Sequence, residues 1–205
     1  MQLLRSPFGF LILIAMLVTA CATTQLGAVW KDPSYQARPH KIMVIGVAKT
    51  QANRRVFEDE FVRQLNVHGT AAIASYTVLP GMQQDGHAAI AAKVAELGAD
   101  AVLITRMAGK KTVQHYVPGT AYYPPPYYGT WPDYYGFGYR AMYAPGYMAE
   151  EELAIIETNL YEAGNDKLVW AASSETEMHG PDQERIRSYI DIMVKTMAEQ
   201  GLLGR

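Results

Sequence analysis

Residues 40–106 alternate short apolar runs with stretches of helical periodicity, and this alternation limits the possible folds more than any other feature. Three apolar runs predict strands: Lys41–Ala48, Ala71–Leu79 and Ala101–Arg106. Two amphipathic stretches between them predict helices: residues 53–68 and 87–97. Strand–helix–strand units of this kind have parallel strands and right-handed crossovers. The first half of the chain is therefore predicted to fold as β-α-β-α-β.

Each predicted helix places its apolar side chains on one face. These side chains are Phe57, Phe61 and Leu65 in the first helix and Ile90, Val94 and Leu97 in the second. Arg54 lies off the first apolar stripe. Gly98 directly follows the second stripe, at the position where a left-handed glycine commonly ends a helix. Both stripes are predicted to pack in the core.

The second half of the chain predicts a β-hairpin followed by a helix. Glu150–Glu162 and Lys167–Glu177 are rich in strand-forming residues, and Gly164-Asn165-Asp166 between them is a hairpin signal. Pro181 suits the first turn of a helix, and apolar residues then recur at helical spacing as far as Met197. The chain is thus predicted to be an α/β domain with a mixed sheet, in two or three layers.

A tyrosine- and proline-rich insert, Tyr116–Tyr147, separates the two halves. It holds ten of the 14 tyrosines and six of the 11 prolines of the chain. Proline disfavours regular helix and sheet, and a connection of this length is commonly functional or irregular. The insert is predicted to be either a tolerated surface insertion or a contact surface, because tyrosine suits contact surfaces. The candidate contact residues are Tyr122, Tyr123, Tyr127, Tyr128, Trp131, Tyr134, Tyr135 and Tyr139.

The first twenty residues predict a signal peptide. Arg5 precedes an apolar run of 11 residues, Phe8–Val18. This length is typical of the h-region of a signal peptide and is well short of the roughly 20 residues that span a bilayer. Small residues follow, and then comes Cys21, the single cysteine of the chain. One cysteine also excludes an internal disulfide and a multi-cysteine metal site.

Leu17-Val18-Thr19-Ala20-Cys21 resembles the lipobox of bacterial lipoproteins. The resemblance implies cleavage before Cys21, a diacylglyceryl group on its thiol and an N-acyl chain such as palmitate, with no other cofactor. Several acyl chains anchor a protein stably, since each buried methylene contributes about 0.8 kcal/mol. Under the Gram-negative sorting rule that comes with the resemblance, Asp after the cysteine favours the inner membrane. Ala22 therefore implies the outer membrane, with the domain in the periplasm. The alternatives are an ordinary secretory signal with an incidental cysteine, and a short buried helix.

The predicted domain organisation follows from these segments. Residues 1–20 are the lipoprotein signal peptide, and residues 21–39 are a lipidated tether. Residues 40–205 form a single α/β domain, interrupted by the insert at 116–147. The tether is predicted because residues 22–39 lack periodicity and contain Pro33 and Pro39.

No sequence motif predicts an enzyme. The P-loop, zinc-protease, serine-hydrolase and EF-hand patterns do not occur in the sequence. The five histidines are scattered, without the spacing of a metal site. The acidic runs Glu58-Asp59-Glu60 and Glu150-Glu151-Glu152 are expected to be solvated faces or element ends. The net charge of −2 argues against a nucleic-acid binder.

The order of these segments resembles a group of bacterial lipoproteins built on a domain of unknown function. The resemblance rests on Cys21, Trp30, Asp32-Pro33, Lys41–Gly46, the helix Arg55–Leu65 with Glu58 and Phe61, Glu96–Ile104 (ELGADAVLI), Asn159–Tyr161 and Leu168–Trp170. It implies a fold similar to the N-terminal domain of the Tol-system translocation protein and to the curli-secretion lipoprotein. It also implies an envelope protein that binds other proteins, and it supplies no catalytic residue.

The sequence therefore favours an outer-membrane-anchored periplasmic lipoprotein that is not an enzyme. Its expected role is binding or scaffolding in cell-envelope assembly or maintenance. The expected partner is an envelope protein of unknown identity, and the lipid anchor is expected to attach the chain to the membrane. Two alternatives stay open: an oligomerising subunit of a secretion or export assembly, and a cell-wall protein that contacts peptidoglycan.

Overall fold

The computed structural model describes residues 24–81, 86–118, 130, 132, 135, 146–179 and 181–204. In chain order the elements are β1 (Thr24–Lys31), β2 (Lys41–Val47), α1 (Gln51–Val67), β3 (Ala71–Ala74), α2 (Ser75–Val78), α3 (His87–Leu97), β4 (Ala101–Val117), β5 (Tyr147–Glu162), β6 (Lys167–Glu177) and α4 (Asp182–Glu199). Among these described elements, no helix is long and apolar enough to cross a membrane.

The strands form one six-stranded mixed sheet with the order β1-β6-β5-β4-β2-β3. Strand β2 runs parallel to both β3 and β4, as the β-α-β-α-β pattern predicts. The pairs β4–β5, β5–β6 and β1–β6 are antiparallel. The predicted fold class is therefore confirmed: a mixed α/β sheet in which a hairpin and a C-terminal helix follow the parallel unit.

Helices cover both faces of the sheet, and each face has its own core. Helices α1 and α4 pack over the larger core, whose biggest fully buried side chains include Phe61, Leu65, Trp170 and Tyr189. Helix α3 packs over a smaller cluster on the other face: Met43, Ile45, Val94 and Ala99. Because β2 contributes to both clusters, its run from Ile42 to Gly46 is buried without alternation.

Strand β1 corrects the prediction of a tether over residues 21–39. Residues 24–31 pair antiparallel with β6, from Thr24 opposite Thr176 to Lys31 opposite Trp170. Thr24 is buried, and its hydroxyl lies 3.1 Å from that of Thr176. The segment shows no local strand pattern because most of its side chains stay exposed. A partner strand far along the chain, β6, creates this strand.

The run Ala71–Leu79 is also only partly a strand. Strand β3 ends at Ala74, and the short helix α2 follows. Side chains of α1 cause the change, since Glu58 Oε2 accepts a hydrogen bond from Tyr76 N at 2.8 Å. The guanidinium of Arg54 also donates to the carbonyl oxygen of Leu79 at 3.2 Å. These contacts take backbone groups that a longer strand would pair.

The strands that flank the insert are longer than the sequence predicts. Strand β4 continues from the predicted end at Arg106 to Val117, and β5 begins at Tyr147. The two stay paired up to Val117 opposite Tyr147, with one register shift between Met107 and Gly109. The predicted insert boundaries at 116 and 147 therefore fall inside strands. Regular pairing continues there although neither strand rests on a core.

Two helix ends are capped by the residues that flank them. Thr50 caps α1 by accepting a hydrogen bond from the backbone of Asn53 at 3.2 Å. Gly98 ends α3 in the left-handed conformation, with φ of 62°, which confirms the C-terminal signal. Asp100 then accepts from the backbone N–H groups of His40 and Lys41, so the starts of β4 and β2 are joined.

Candidate functional site

A cavity of about 510 Å³ opens between α1 and α4. It lies at the carboxyl end of β2, where the parallel pairing of β2 with β4 stops at Arg106. Ligands commonly bind beyond the carboxyl ends of parallel strands in open α/β sheets. Its apolar lining includes Val47, Phe57, Met107, Ile156, Met178 and Ile186. Its polar and charged lining comprises Lys49, Asn53, Arg106, Asp182 and Arg185, together with hydroxyl groups. This combination can hold an apolar group with polar contacts at one side.

Hydroxyl groups line the cavity floor. The Tyr189 hydroxyl is hydrogen-bonded to that of Thr158, which lies 2.7 Å from the hydroxyl of Thr105. Burial raises the pKa of Tyr189 well above the usual value of 10, while the bonds to the two threonines oppose the rise. The phenol therefore stays protonated at neutral pH. It can donate a hydrogen bond but is not available as a base.

A buried ion pair lies next to this cavity and corrects the expected exposure of the run Glu58-Asp59-Glu60. Glu58 is fully buried and Arg54 nearly so, with Arg54 Nε 2.9 Å from Glu58 Oε1. Gly46 N and Ser75 Oγ also donate to Glu58 Oε1, at 3.0 and 2.7 Å. Four donors thus meet one carboxylate, counting Tyr76 N on its second oxygen. Glu58 joins α1, β2 and α2.

The other two carboxylates of the run differ in exposure. Asp59 accepts a hydrogen bond from the exposed Tyr76 hydroxyl at 2.8 Å. Glu60 pairs with Arg63, and the pKa of Glu60 is lowered mainly by this hydrogen bond. Asp59 is exposed at the surface of α1, whereas the side chain of Glu60 is only 16% exposed. The buried position of Glu58 follows from helix geometry, because residue 58 is four after Arg54 and three before Phe61.

A two-stranded arm extends from the sheet on the cavity side. We define the arm as residues 112–117 of β4 and 147–152 of β5. Strand β4 pairs with β2 only as far as Arg106, and β5 pairs with β6 only from Leu153 onward. Along the arm every residue is exposed or half-buried. A two-stranded ribbon of this kind is marginally stable when isolated, and its exposed side chains are accessible for further contacts.

Opposite charges hold the base of the arm. Lys110 Nζ lies 3.1 Å from Glu152 Oε2, and Lys111 Nζ lies 2.9 Å from Glu175 Oε1. Gln114 Nε2 donates to Glu150 Oε1 at 2.6 Å. Sequence reasoning missed the arm, although Lys110-Lys111 before the insert and three glutamates after it were the available signal. Complementary charges on the two sides of a connection are typical of paired strands.

A polar cluster just after the C-terminal end of β1 holds that end of the strand in place. Asp32 Oδ1 accepts hydrogen bonds from Ser34 N and Ser34 Oγ, at 2.8 and 2.7 Å. Lys167 Nζ lies 2.5 Å from Asp32 Oδ2. The hydrogen bonds from Lys167 and Ser34 lower the pKa of Asp32 from 3.8 to about 2. The Asp32-Pro33 pair, singled out by the resemblance, thus fastens β1 to the start of β6.

Asp32 predicts an acid-sensitive contribution to stability. Its folded pKa lies below its usual value, so the contribution is complete above about pH 4 and is lost as the pH falls toward 2. We expect Asp32→Asn to lower stability at pH 7 and to flatten the decline between pH 4 and pH 2. Urea denaturation at each pH measures both effects. Asp166→Asn, at an exposed carboxylate, is the control; equal profiles for the two variants would contradict the prediction.

Most of the sequence-predicted site residues lie outside the described part of the chain. This applies to Cys21 and to Tyr122, Tyr123, Tyr127, Tyr128, Trp131, Tyr134 and Tyr139. Tyr135 is described, and 59% of its surface is exposed. The lipidation site and the contact surface therefore stay predictions. Within the described residues, no group of three or more potential metal ligands comes together.

Comparison with known proteins gives structural likeness only. No protein-family model matches the chain, and no curated protein matches it. The PelC dodecamer from Paraburkholderia phytofirmans is similar in structure, with 14% identity over 89% of this chain and 99% of that chain and a TM-score of 0.45. Lipoprotein GNA1162 from Neisseria meningitidis is similar at 13% identity, over 78% of this chain and 99% of that chain, with a TM-score of 0.43. TM-scores below 0.5 assign neither a family nor an activity to this chain.

Proposed function

We propose that the protein is an outer-membrane-anchored periplasmic lipoprotein that acts as a non-enzymatic binding or scaffold protein in cell-envelope assembly or maintenance. The lipobox at Leu17–Cys21 supports the anchor. Ala22 supports the outer membrane under the sorting rule. The arm supports binding, because most of its residues are exposed.

The short sequence separation between β1 and Cys21 is the observation that carries this proposal. Strand β1 begins at Thr24, which is buried against β6, and only Ala22 and Thr23 lie between it and Cys21. Three residues span at most about 10 Å when fully extended. A lipid on Cys21 would therefore hold the sheet itself beside the membrane. A domain kept within that distance of the membrane is suited to present a surface to other envelope components.

Replacing the lipidation residue tests the proposal. We expect Cys21→Ser to abolish incorporation of radiolabelled palmitate and to leave a longer, uncleaved chain. Thr23→Ser, two residues away, is the matched control and should be labelled and cleaved normally. Ala22→Asp should keep the label but move the protein from the outer to the inner membrane fraction. Normal labelling and fractionation of the Cys21→Ser protein would overturn the proposal.

A second candidate function is an oligomerising subunit of a secretion or export assembly. The observation that favours it is the edge of β4 from Met107 to Val117, where the described residues provide no pairing partner on the β2 side. An open edge of this length is a template for a strand from another chain. Native mass spectrometry of the lipid-free protein separates the candidates, since a stable ring-sized oligomer favours the second and a monomer favours the first.

A further inference from the structure

We propose that the cavity between α1 and α4 binds a free fatty acid, with its alkyl chain directed inward and its carboxylate at the mouth beside Lys49. This site goes beyond the binding role proposed above. It does not depend on the lipid anchor, because the residues that line the cavity belong to the sheet, to α1 and α4, and to the ends of these elements.

Apolar side chains from different elements form the walls of the cavity. Phe57 comes from α1, Ile156 from β5 and Ile186 from α4, and Met178 directly follows β6. These side chains are only half-buried in the domain, so an apolar group between them removes more apolar surface from water. The cavity volume of about 510 Å³ lies within the range of small-molecule sites, roughly 300–1,000 Å³. A single alkyl chain therefore suits this space.

The hydroxyl groups at the floor of the cavity need no partner from a ligand. They belong to the buried residues Thr105, Thr176 and Tyr189. Thr158 is hydrogen-bonded to both Thr105 and Tyr189, and Thr176 is hydrogen-bonded to Thr24. An alkyl chain can therefore cover the floor without leaving a buried polar group unpaired. A sugar or a nucleotide would instead bury its own polar groups between apolar walls that cannot pair with them.

The exposed residues at the mouth of the cavity favour a negative charge. Lys49 lies there, and it forms no ion pair with any residue that the structure describes. The other charged residues of the lining are paired, Asp182 with Arg185 and Arg106 with Glu157. Helices α1 and α4 also begin next to the mouth, and the N-terminal end of a helix carries a partial positive charge. A carboxylate complements this unpaired positive charge.

Photolabelling tests both the site and the orientation of the ligand. The full-length protein, in phosphatidylcholine nanodiscs, is irradiated with decanoate that carries a diazirine near its methyl end. We expect mass spectrometry to place the label on the walls and floor, at residues such as Phe57, Ile156 and Tyr189. An excess of unlabelled decanoate should remove most of this label. Decanol with the same diazirine should label these residues about three- to fivefold less, as expected when an exposed charge pair is lost.

Lys49→Met separates the charge from the apolar contacts. It should weaken labelling by the decanoate probe about three- to fivefold and leave labelling by the decanol probe unchanged. Lys195→Met is the matched control, because Lys195 is an exposed lysine of α4 outside the cavity lining, and it should change neither. Ala154→Phe, at the buried floor, fills the cavity and should abolish labelling by both probes. Circular dichroism checks that this variant folds.

Competition by unlabelled decanoate decides the question in the unmodified protein, even if Ala154→Phe does not fold. Label confined to the mouth, or label that excess decanoate does not displace, would overturn the inference. Equal labelling by the decanoate and decanol probes would also overturn it, because the site would then not select the carboxylate. A phospholipid with the diazirine on an acyl chain that labels the same residues would assign the cavity to a bilayer lipid instead. Labelling that requires deletion of residues 119–145 would assign it to the chain itself.

Discussion

Glu58→Gln is expected to lower the free energy of unfolding by about 3–5 kcal/mol, the usual cost of breaking a buried ion pair on one side. Glu58 is fully buried and pairs with the buried Arg54. The substitution removes the carboxylate charge that faces the buried guanidinium of Arg54. It also sets an amide N–H₂ group among hydrogen-bond donors, since Gly46 N, Ser75 Oγ and Tyr76 N all point at this carboxylate. Each unmet donor adds to the loss.

Urea denaturation followed by circular dichroism measures this loss. Glu96→Gln is the matched control, because Glu96 pairs with Lys93 at 2.7 Å on the surface of α3. Its removal should cost about 1 kcal/mol or less. The double variant Arg54→Met with Glu58→Gln removes the buried charge and should regain part of the stability. If Glu58→Gln cost no more than Glu96→Gln, the buried pair would not be holding α1, β2 and α2 together.

Trp170→Ala is expected to cost a similar amount, about 3–5 kcal/mol, because it empties the largest buried side-chain volume of the core. Trp170 is fully buried on β6, in the cluster that α1 and α4 cover. The loss combines the transfer free energy of the indole with the cavity that its removal leaves. Trp170→Phe should cost less, since it keeps a ring and removes an indole N–H that has no hydrogen-bond partner among the described residues.

Trp30→Ala is the control for this prediction. Trp30 lies on β1 opposite Ala171, the residue after Trp170, and is 47% exposed. Because neighbouring residues of a strand point to opposite faces, Trp30 lies away from the core that holds Trp170. Its removal should cost about 1 kcal/mol or less. Thermal unfolding followed by circular dichroism compares the two variants, and equal losses would contradict the assignment of Trp170 to the core.

The elements that the sequence predicts well are those whose signal is local. Helices α1 and α3 were predicted within two residues at each end, because their apolar stripes and the cap at Gly98 lie within one segment. The β5–β6 hairpin was predicted for the same reason, since Gly164-Asn165-Asp166 lies between its strands. Leu160, Val169 and Trp170 of this hairpin are buried.

The elements that the sequence misses depend on partners far along the chain. Strand β1 exists because it pairs with β6, and β3 stops at Ala74 because Glu58 and Arg54 bind the next residues. The arm has no apolar alternation, so only the pairing of β4 with β5 reveals it. The burial of Glu58 was missed because a carboxylate usually lies at the surface unless a buried partner offsets its desolvation.

By itself, the sequence determines the α/β class, the order of the parallel unit and hairpin, and the prediction of a lipid anchor at Cys21, because each follows from residues close together in the chain. The tertiary structure alone decides that the presumed tether is a strand, that Glu58 is internal, and that the cavity and the arm lie at one end of the sheet. The physical reason is that sheet pairing and burial are long-range. They bring Thr24 level with Lys110, and they turn two polar segments beside the insert into one projecting ribbon.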